Sequence, residues 1–98
     1  GGYKIMKTQY YIVAVRYDER HTISKVRIYQ NDDIFEESKV FVLLGLASGY
    51  LIKTAFQERD GQWHEGAVVQ QYKKNENLYL KTEPNELTED NLGKLPEF

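Results

Sequence analysis

The stretch "IFEESKVFVLLGLASGY", residues 34 to 50, decides between an all-β domain and an α+β domain. As a helix it has a start and a stop, because Ser38 is a typical N-cap and Gly49 can adopt the left-handed conformation that ends a helix. Glu36 and Glu37 would lie near the positive end of that helix. The apolar residues at the i, i+3, i+4, i+7 spacing of one helix face are Val40, Leu43, Leu44 and Ala47.

A strand is the alternative for part of this stretch, since "KVFVLL" is rich in β-branched and aromatic residues. Gly45 also opposes a helix, at a cost of about 1 kcal/mol relative to Ala. The start and stop signals of the helix, Ser38 and Gly49, outweigh this cost. We therefore predict a helix over residues 38 to 48, with Val40, Leu43, Leu44 and Ala47 facing a sheet.

Five flanking segments have the composition and alternation of β-strands. They are "QYYIVAVRY" (9–17), "TISKVRIYQ" (22–30), "YLIKTAFQ" (50–57), "QWHEGAVVQQY" (62–72) and "LYLKT" (78–82). The first is apolar on both faces, which indicates a central strand, and Gly66 within the fourth predicts a bulge or the close approach of another segment. We predict an α+β fold, a mainly antiparallel sheet of about five strands with one helix packed on it, in the order strand, strand, helix, strand, strand, strand.

Size and composition narrow the class of protein. The 98 residues suit a single domain, which we place at residues 6–98, and residues 1–5 precede the only methionine, Met6, and are interpreted as an expression remnant. The chain has no cysteine, which excludes disulfides and thiolate chemistry. It shows no signal peptide and no transmembrane run. We expect a soluble cytoplasmic protein that does not contact a membrane.

The sequence shows no catalytic or cofactor motif. His21 and His64 are the only histidines, and a zinc site normally takes three or four ligands. Paired carboxylates such as Glu36 with Glu37 are more simply solvated charges, and the serines fit strand, cap and helix-end positions. No glycine-rich phosphate loop is present. We therefore expect no catalytic residue, no metal and no cofactor, and a protein that is not an enzyme.

The order of the strand segments and the closing "DNLGKLPEF", residues 90 to 98, resemble a known family. The matching pieces are "YYIVAVRY", "ISKVRIY", "SGYLIKT", "GQWHEGAVV", "LYLKT" and, most specifically, Asp90, Asn91, Leu92, Gly93, Leu95 and Pro96. The chain resembles the small bacterial and phage proteins of domain-of-unknown-function family 3892 from about Gln9 to Phe98. The resemblance implies one compact α+β unit, to which the closing segment belongs, and it carries no activity and no catalytic residue.

The closing segment also has apolar residues that a disordered tail would lack. Leu92 and Leu95, with Gly93 permitting a turn between them, can hold the end of the chain against the domain, while Pro96 stiffens the exit. We predict a docked C-terminal segment. A binding motif is the alternative for the same residues.

Because the sequence shows no catalytic motif, we expect a binding function, and two kinds of partner are considered. Small β-rich domains commonly bind proteins through a sheet edge or an aromatic patch, so we expect an unknown protein partner. The alternative is single-stranded nucleic acid on a basic and aromatic sheet face. The candidate binding residues are Arg16, Lys25, Arg27, Tyr29, Trp63 and Tyr72. The resemblance adds an association with phages or mobile elements as an expectation.

Overall fold

The computed structural model describes residues 7–82 and 90–98. Its elements are β1 (Tyr10–Tyr17), β2 (Ile23–Gln30), β3 (Asp33–Ser38), α1 (Lys39–Ala47), β4 (Ile52–Gln57), β5 (Trp63–Val68), β6 (Gln70–Lys74) and β7 (Asn77–Lys81). The fold is α+β, as the sequence predicts, with seven strands and one helix in the described part of the chain. Within that part, no helix is long and apolar enough to cross a membrane.

Two sheets make up the β-structure. The larger has the order β3-β2-β1-β4-β5, and β6 pairs with β7 in a separate two-stranded sheet. Neighbours in the larger sheet are antiparallel except β1 and β4, which are parallel. The sheet is therefore mixed, because the connection through β2, β3 and α1 returns the chain to the other side of β1.

The sequence did not predict β3, and Glu36 and Glu37 lie in this strand rather than in the first turn of the helix. The cause is the turn before it. Asn31 and Asp32 both have positive φ, 52° and 64°, and the flanking residues Gln30 and Asp33 pair with each other. Two left-handed central residues form the turn that best matches the twist of a hairpin, and Asn and Asp tolerate this conformation. A second hairpin therefore forms before the helix.

The helix begins and ends close to the predicted positions. The Oγ of Ser38 accepts a hydrogen bond from the backbone N–H of Phe41 at 3.3 Å. At the other end Gly49 has φ 88°, and the N–H of Tyr50 donates to the carbonyl of Gly45 at 3.0 Å. Both terminal signals in the sequence are confirmed.

The predicted inner face of the helix is wrong for three of its four residues. Val40 and Leu44 are 59% and 64% exposed, and Ala47 is also exposed, whereas Val42 and Gly45 are buried and Leu43 packs against the core. α1 is apolar on all sides, so its period alone does not identify the inner face. A β-carbon at Gly45 would lie 3.0 Å from Tyr50 and 3.1 Å from the hydroxyl of Tyr10. The glycine is the point where the helix approaches the sheet most closely.

The core packs on one face of the larger sheet, and α1, β7 and the closing segment contribute to it. Its buried members are Tyr10, Ile12, Val15, Ile23, Val26, Ile28, Val42, Ile52, Val69, Leu80 and Leu92. Side chains alternate along a strand, so the neighbours of these residues in β1 and β2 point to the opposite face, which we call the open face. Tyr11, pairing with Tyr29, and Arg16, pairing with Lys25, lie on the open face.

The closing segment, residues 90–98, forms backbone hydrogen bonds with the domain at two places. Asn91 donates to the carbonyl of Leu80 at 2.8 Å and accepts from Thr82 at 3.0 Å. Farther on, the N–H of Val15 donates to the carbonyl of Pro96, and the N–H of Phe98 donates to the carbonyl of Val15. β4 pairs only with the first part of β1, so the closing segment takes the neighbouring position beside Val15. The predicted docking is confirmed.

Candidate binding surface

Two of the three basic residues predicted for binding, Arg16 and Arg27, contact Phe98 in the closing segment. The guanidinium carbons of Arg16 and Arg27 lie 4.7 Å and 4.2 Å from the centre of the Phe98 ring. Arg16 also donates through Nε to the Phe98 carbonyl at 2.8 Å, and Arg27 forms an ion pair with Glu36 at 3.7 Å. Lys25 is exposed beside them. Much of the predicted basic surface is thus engaged within the domain.

Tyr29 and Trp63 meet on the open face although they belong to β2 and β5. Their rings are stacked at 6.0 Å with an interplanar angle of 27°. Ala55 of β4 lines the space beside these two rings. A cavity of about 200 Å³ results, which we call the aromatic cleft, and its lining residues are Tyr11, Tyr29, Ala55, Trp63, His64 and Glu65. Trp63 remains 43% exposed.

Polar contacts fix the side chains around the aromatic cleft. The Tyr11 hydroxyl donates to Oε1 of Glu65 at 2.5 Å, and Lys53 lies 3.4 Å from Oε2 of the same carboxylate. The Tyr11 hydrogen bond, followed by the charge of Lys53, lowers the pKa of Glu65 below its ordinary value. The Tyr29 hydroxyl donates to Asp32 at 2.8 Å, and this bond raises the pKa of Tyr29. The hydrogen bond to Glu65 likewise raises the pKa of Tyr11, and the two hydroxyl bonds orient the Tyr11 and Tyr29 rings.

A β-bulge shapes the middle of β5. Lys53 pairs with Val68 and Ala55 pairs with Glu65, so Thr54 lies opposite two residues, Gly66 and Ala67. The Oγ1 of Thr54 accepts from the N–H of Ala67 at 3.1 Å, and a β-carbon on Gly66 would overlap with that oxygen. The predicted bulge and the predicted close approach at Gly66 are both confirmed.

A larger cavity of about 700 Å³ separates the β4–β5 hairpin from the closing segment, and we call it the crevice. Its walls from the sheet are Val13, Thr54, Phe56, Gln57, Trp63, Gly66 and Ala67. Its other wall is Thr82 with Leu92, Gly93, Lys94, Leu95 and Pro96. The crevice exists because β4 and the closing segment both neighbour β1 but do not pair with each other. Its volume lies in the range of ligand sites, and Trp63 lines it as well as the aromatic cleft.

The outer edge of β5 completes this region. β5 is the last strand of the larger sheet, and no strand in the described part of the chain pairs with its outer side. Val68, near its end, is 40% exposed. One strand thus has a free edge and a cavity at each face. We call this region the β5 surface, formed by β5, the aromatic cleft and the crevice.

A family model described as a protein of unknown function, DUF3892, matches residues 11–96. The chain belongs to this family. No curated protein and no solved structure matches the chain. The matched range of the DUF3892 domain includes every residue that lines either cavity, and the closing segment through Pro96 is part of the family's domain rather than an appended tail.

Two predicted residues lie apart from the β5 surface of the DUF3892 domain. Tyr72 is on β6, where its ring stacks on Tyr79 at 5.2 Å and Lys81 lies over it at 4.9 Å. It does not line either cavity, so the structure does not join it to Tyr29 and Trp63 as one surface. Lys25 is also outside both cavities.

Sequence reasoning missed Tyr11 as a residue of the aromatic cleft, and it predicted His64 only as a strand residue beside Trp63. Tyr11 could have been found, because its alternation in β1 places it on the same face as Tyr29 in the predicted hairpin. His64 stacks on Phe56 at 5.5 Å, and its Nε2 lies 3.5 Å from a carboxylate oxygen of Glu58. No group of three or more metal-binding side chains occurs among the described residues. These contacts give His64 a packing role beside the cleft.

Proposed function

We propose that this DUF3892 domain is a non-enzymatic protein-binding module that uses the β5 surface, with Trp63 as its anchor. The observation that carries the proposal is the position of Trp63. Its indole is stacked on Tyr29, 43% exposed, and shared by two cavities beside a free strand edge. Tryptophan and tyrosine contribute most to protein interfaces when their rings are held rigid before binding.

The polar contacts support binding rather than chemistry at the aromatic cleft. Tyr11, Glu65 and Lys53 are satisfied by one another, and the Tyr29 hydroxyl is satisfied by Asp32. Groups paired in this way orient the aromatic rings. A partner can therefore bury the rings without leaving an unpaired polar group in the interface.

Single-stranded nucleic acid is the second candidate, and the stacked pair Tyr29 and Trp63 favours it, since bases stack on exposed aromatic rings. The small number of free basic side chains near this pair argues against nucleic acid. Arg16 and Arg27 are engaged by Phe98, and Arg27 is also engaged by Glu36, which leaves Lys25 as the free cation nearest to them among the described residues. Binding to a polyanion depends on such cations.

Crosslinking from a single position tests the proposal. Because the chain has no cysteine, Val68→Cys can carry a benzophenone label at one site, and Lys73→Cys on the exposed side of β6 is the matched control. In nuclease-treated lysate of the source cells we expect a discrete protein crosslinked through Val68→Cys and not through Lys73→Cys. Excess unlabelled wild type should compete for it, and excess Trp63→Ala should not.

Two results would overturn this proposal. Equal crosslinking from both labelled positions would mean that the β5 surface is not the interface. Loss of the crosslink on nuclease treatment would favour nucleic acid, and titration with short single-stranded DNA and RNA at two salt concentrations would then check the second candidate. Salt-sensitive binding abolished by Lys25→Glu with Arg27→Glu would establish that alternative.

The cellular setting belongs to the same proposal. We place the protein in the cytoplasm of a bacterium, encoded by the chromosome or by a phage. The absence of cysteine and the resemblance to small bacterial and phage proteins support this setting. Genome neighbourhood among phage or defence genes is the observation that tests it.

A further inference from the structure

We propose that the partner binds as an extended segment that pairs with Trp63–Glu65 as an added strand, with an acidic residue placed against Lys94. Its side chains enter the aromatic cleft and the crevice in turn. This inference rests on the proposed function and specifies the chemistry of the partner. It predicts a peptide as the unit of recognition rather than a folded surface.

The free edge of β5 differs in charge from the other free edge of the sheet. β3, at the far side, carries Asp33, Glu36 and Glu37, and charged side chains of this kind discourage the addition of a strand. β5 reads "WHEGAV", and its one acid, Glu65, is held by Tyr11 and Lys53 on the open face. No charge among the described residues of β5 thus protects its edge from another chain.

The bulge limits where such a segment can pair. The N–H of Ala67 turns inward to Thr54, so the regular edge of β5 ends at Glu65. Three residues, Trp63 to Glu65, remain for backbone pairing. A contact this short needs side-chain contacts as well, and it defines the register of the added strand.

The two cavities supply those side-chain contacts. Successive residues of a strand point to opposite faces of the sheet, so neighbouring residues of an added strand face the aromatic cleft and the crevice in turn. Trp63 lines both cavities and lies within the pairing stretch. Apolar surface on the sheet side comes from Phe56 and Ala67 in the crevice and from Tyr29 and Ala55 in the cleft, next to polar residues such as Gln57. Apolar side chains at adjacent positions of the segment fit this arrangement.

Lys94 sets the charge of the partner. It lines the crevice beside Leu95 and Pro96, and none of the described residues forms an ion pair with it. A carboxylate on the bound segment would pair with this ammonium group, since the other residues that line the crevice are uncharged. An acidic residue next to the apolar pair therefore completes the recognition pattern.

Selection from a phage-displayed random peptide library tests the inference. The full-length domain is the target, and Trp63→Ala is used for counter-selection after its melting curve has shown that it folds. We expect enriched peptides with two adjacent apolar residues and a nearby Asp or Glu. Methylating one backbone nitrogen at a time in such a peptide should weaken binding about tenfold at every second position, since alternate N–H groups of an added strand face β5.

Charge reversal tests the contact with Lys94. Lys94→Glu should bind the acidic peptide about tenfold more weakly than wild type does, whereas the control Lys73→Glu should bind it with wild-type affinity. A peptide in which Lys replaces the acidic residue should bind Lys94→Glu again. No enriched peptide, or methylation effects without a two-residue period, would overturn strand addition. Either result would leave the proposed function intact if the Val68→Cys crosslink persists, whereas loss of that crosslink would overturn both.

Discussion

The Oδ2 atom of Asp90 lies 2.8 Å from the ammonium nitrogen of Lys39, although the two residues are 51 positions apart. The same carboxylate accepts from the backbone N–H groups of Ile23 and Leu80, each at 2.7 Å. Asp90 is fully buried. One side chain of the closing segment therefore joins the start of β2, the first residue of α1 and the interior of β7.

Replacing Asp90 with Ala should lower the free energy of unfolding by about 3–5 kcal/mol, because it leaves the partly buried Lys39 ammonium group and two backbone donors without their acceptor. Urea denaturation measures this change. Asp90→Asn is the matched control, since its amide oxygen can still accept from a backbone N–H, and it should lose less. Equal stability of Asp90→Ala and wild type would show that the closing segment does not hold the fold together.

The two sides of α1 should differ in sensitivity to substitution. Val42→Ala removes two buried methyl groups and should cost about 2 kcal/mol, whereas Leu44→Ala at an exposed position should change stability by less than about 0.5 kcal/mol. Thermal and urea unfolding of the two variants give the comparison. The opposite order would mean that the helix presents the Val40, Leu44 and Ala47 face to the sheet after all.

The hydroxyl of Tyr10 is buried without a hydrogen-bond partner among the described residues, and burial, with smaller contributions from Tyr50 and Glu37, raises the pKa of Tyr10 to about 12. A raised pKa means that the folded state holds the proton more tightly. The contribution of this protonated hydroxyl to the free energy of unfolding is fully present below pH 10.0, the ordinary pKa, and is lost as the pH rises toward about 12.

Tyr10→Phe should accordingly be as stable as wild type at neutral pH, or more stable by up to about 1 kcal/mol, since it removes an unsatisfied polar group. Between pH 10 and about 12 it should lose less stability than wild type does. Urea unfolding across this range measures both effects. Parallel pH curves for the two proteins would contradict the buried position of the hydroxyl.

The carboxyl group of Glu65 reports on the aromatic cleft. Tyr11→Phe removes the hydrogen bond that contributes most to lowering the pKa of Glu65, so that pKa should rise toward its ordinary value in a carbon-detected NMR titration. Because the pKa of Glu65 is lowered in the folded state, the ionised carboxylate stabilises the fold at pH values above its ordinary pKa, and this stabilisation is lost as the pH falls. Tyr11→Phe should therefore lose less stability on acidification than wild type does. Tyr29→Phe, whose hydroxyl donates to Asp32 instead, should leave the titration of Glu65 unchanged.

The elements that local chemistry specifies were predictable from the sequence. Ser38 and Gly49 bound the helix, the Asp60 and Gly61 turn joins β4 to β5, and Gly66 marks the bulge. Each signal acts over a few residues. The docking of the closing segment was also predictable, because apolar residues at Leu92 and Leu95 have no role in a solvated tail.

What the sequence did not reveal depends on contacts between distant segments. An apolar helix has no polar side to mark its exterior, so the inner face of α1 was set by Gly45 against Tyr10 and by Lys39 reaching Asp90. The parallel pairing of β1 with β4 follows from the path of the chain rather than from either strand. Tyr29 and Trp63 were predicted singly, but their stacking joins β2 and β5, which two other strands separate in the sheet.

The most direct test of the β5 surface uses the partner protein that Val68→Cys crosslinks. Its affinity is measured for three forms of the domain. Calorimetry with wild type, Trp63→Ala and Lys73→Ala gives the comparison, after melting curves have shown that all three are folded. We expect Trp63→Ala to bind more weakly by about 2 kcal/mol or more, as for a central aromatic anchor, and Lys73→Ala to bind like wild type. Equal affinity of Trp63→Ala and wild type would contradict the assignment of this surface.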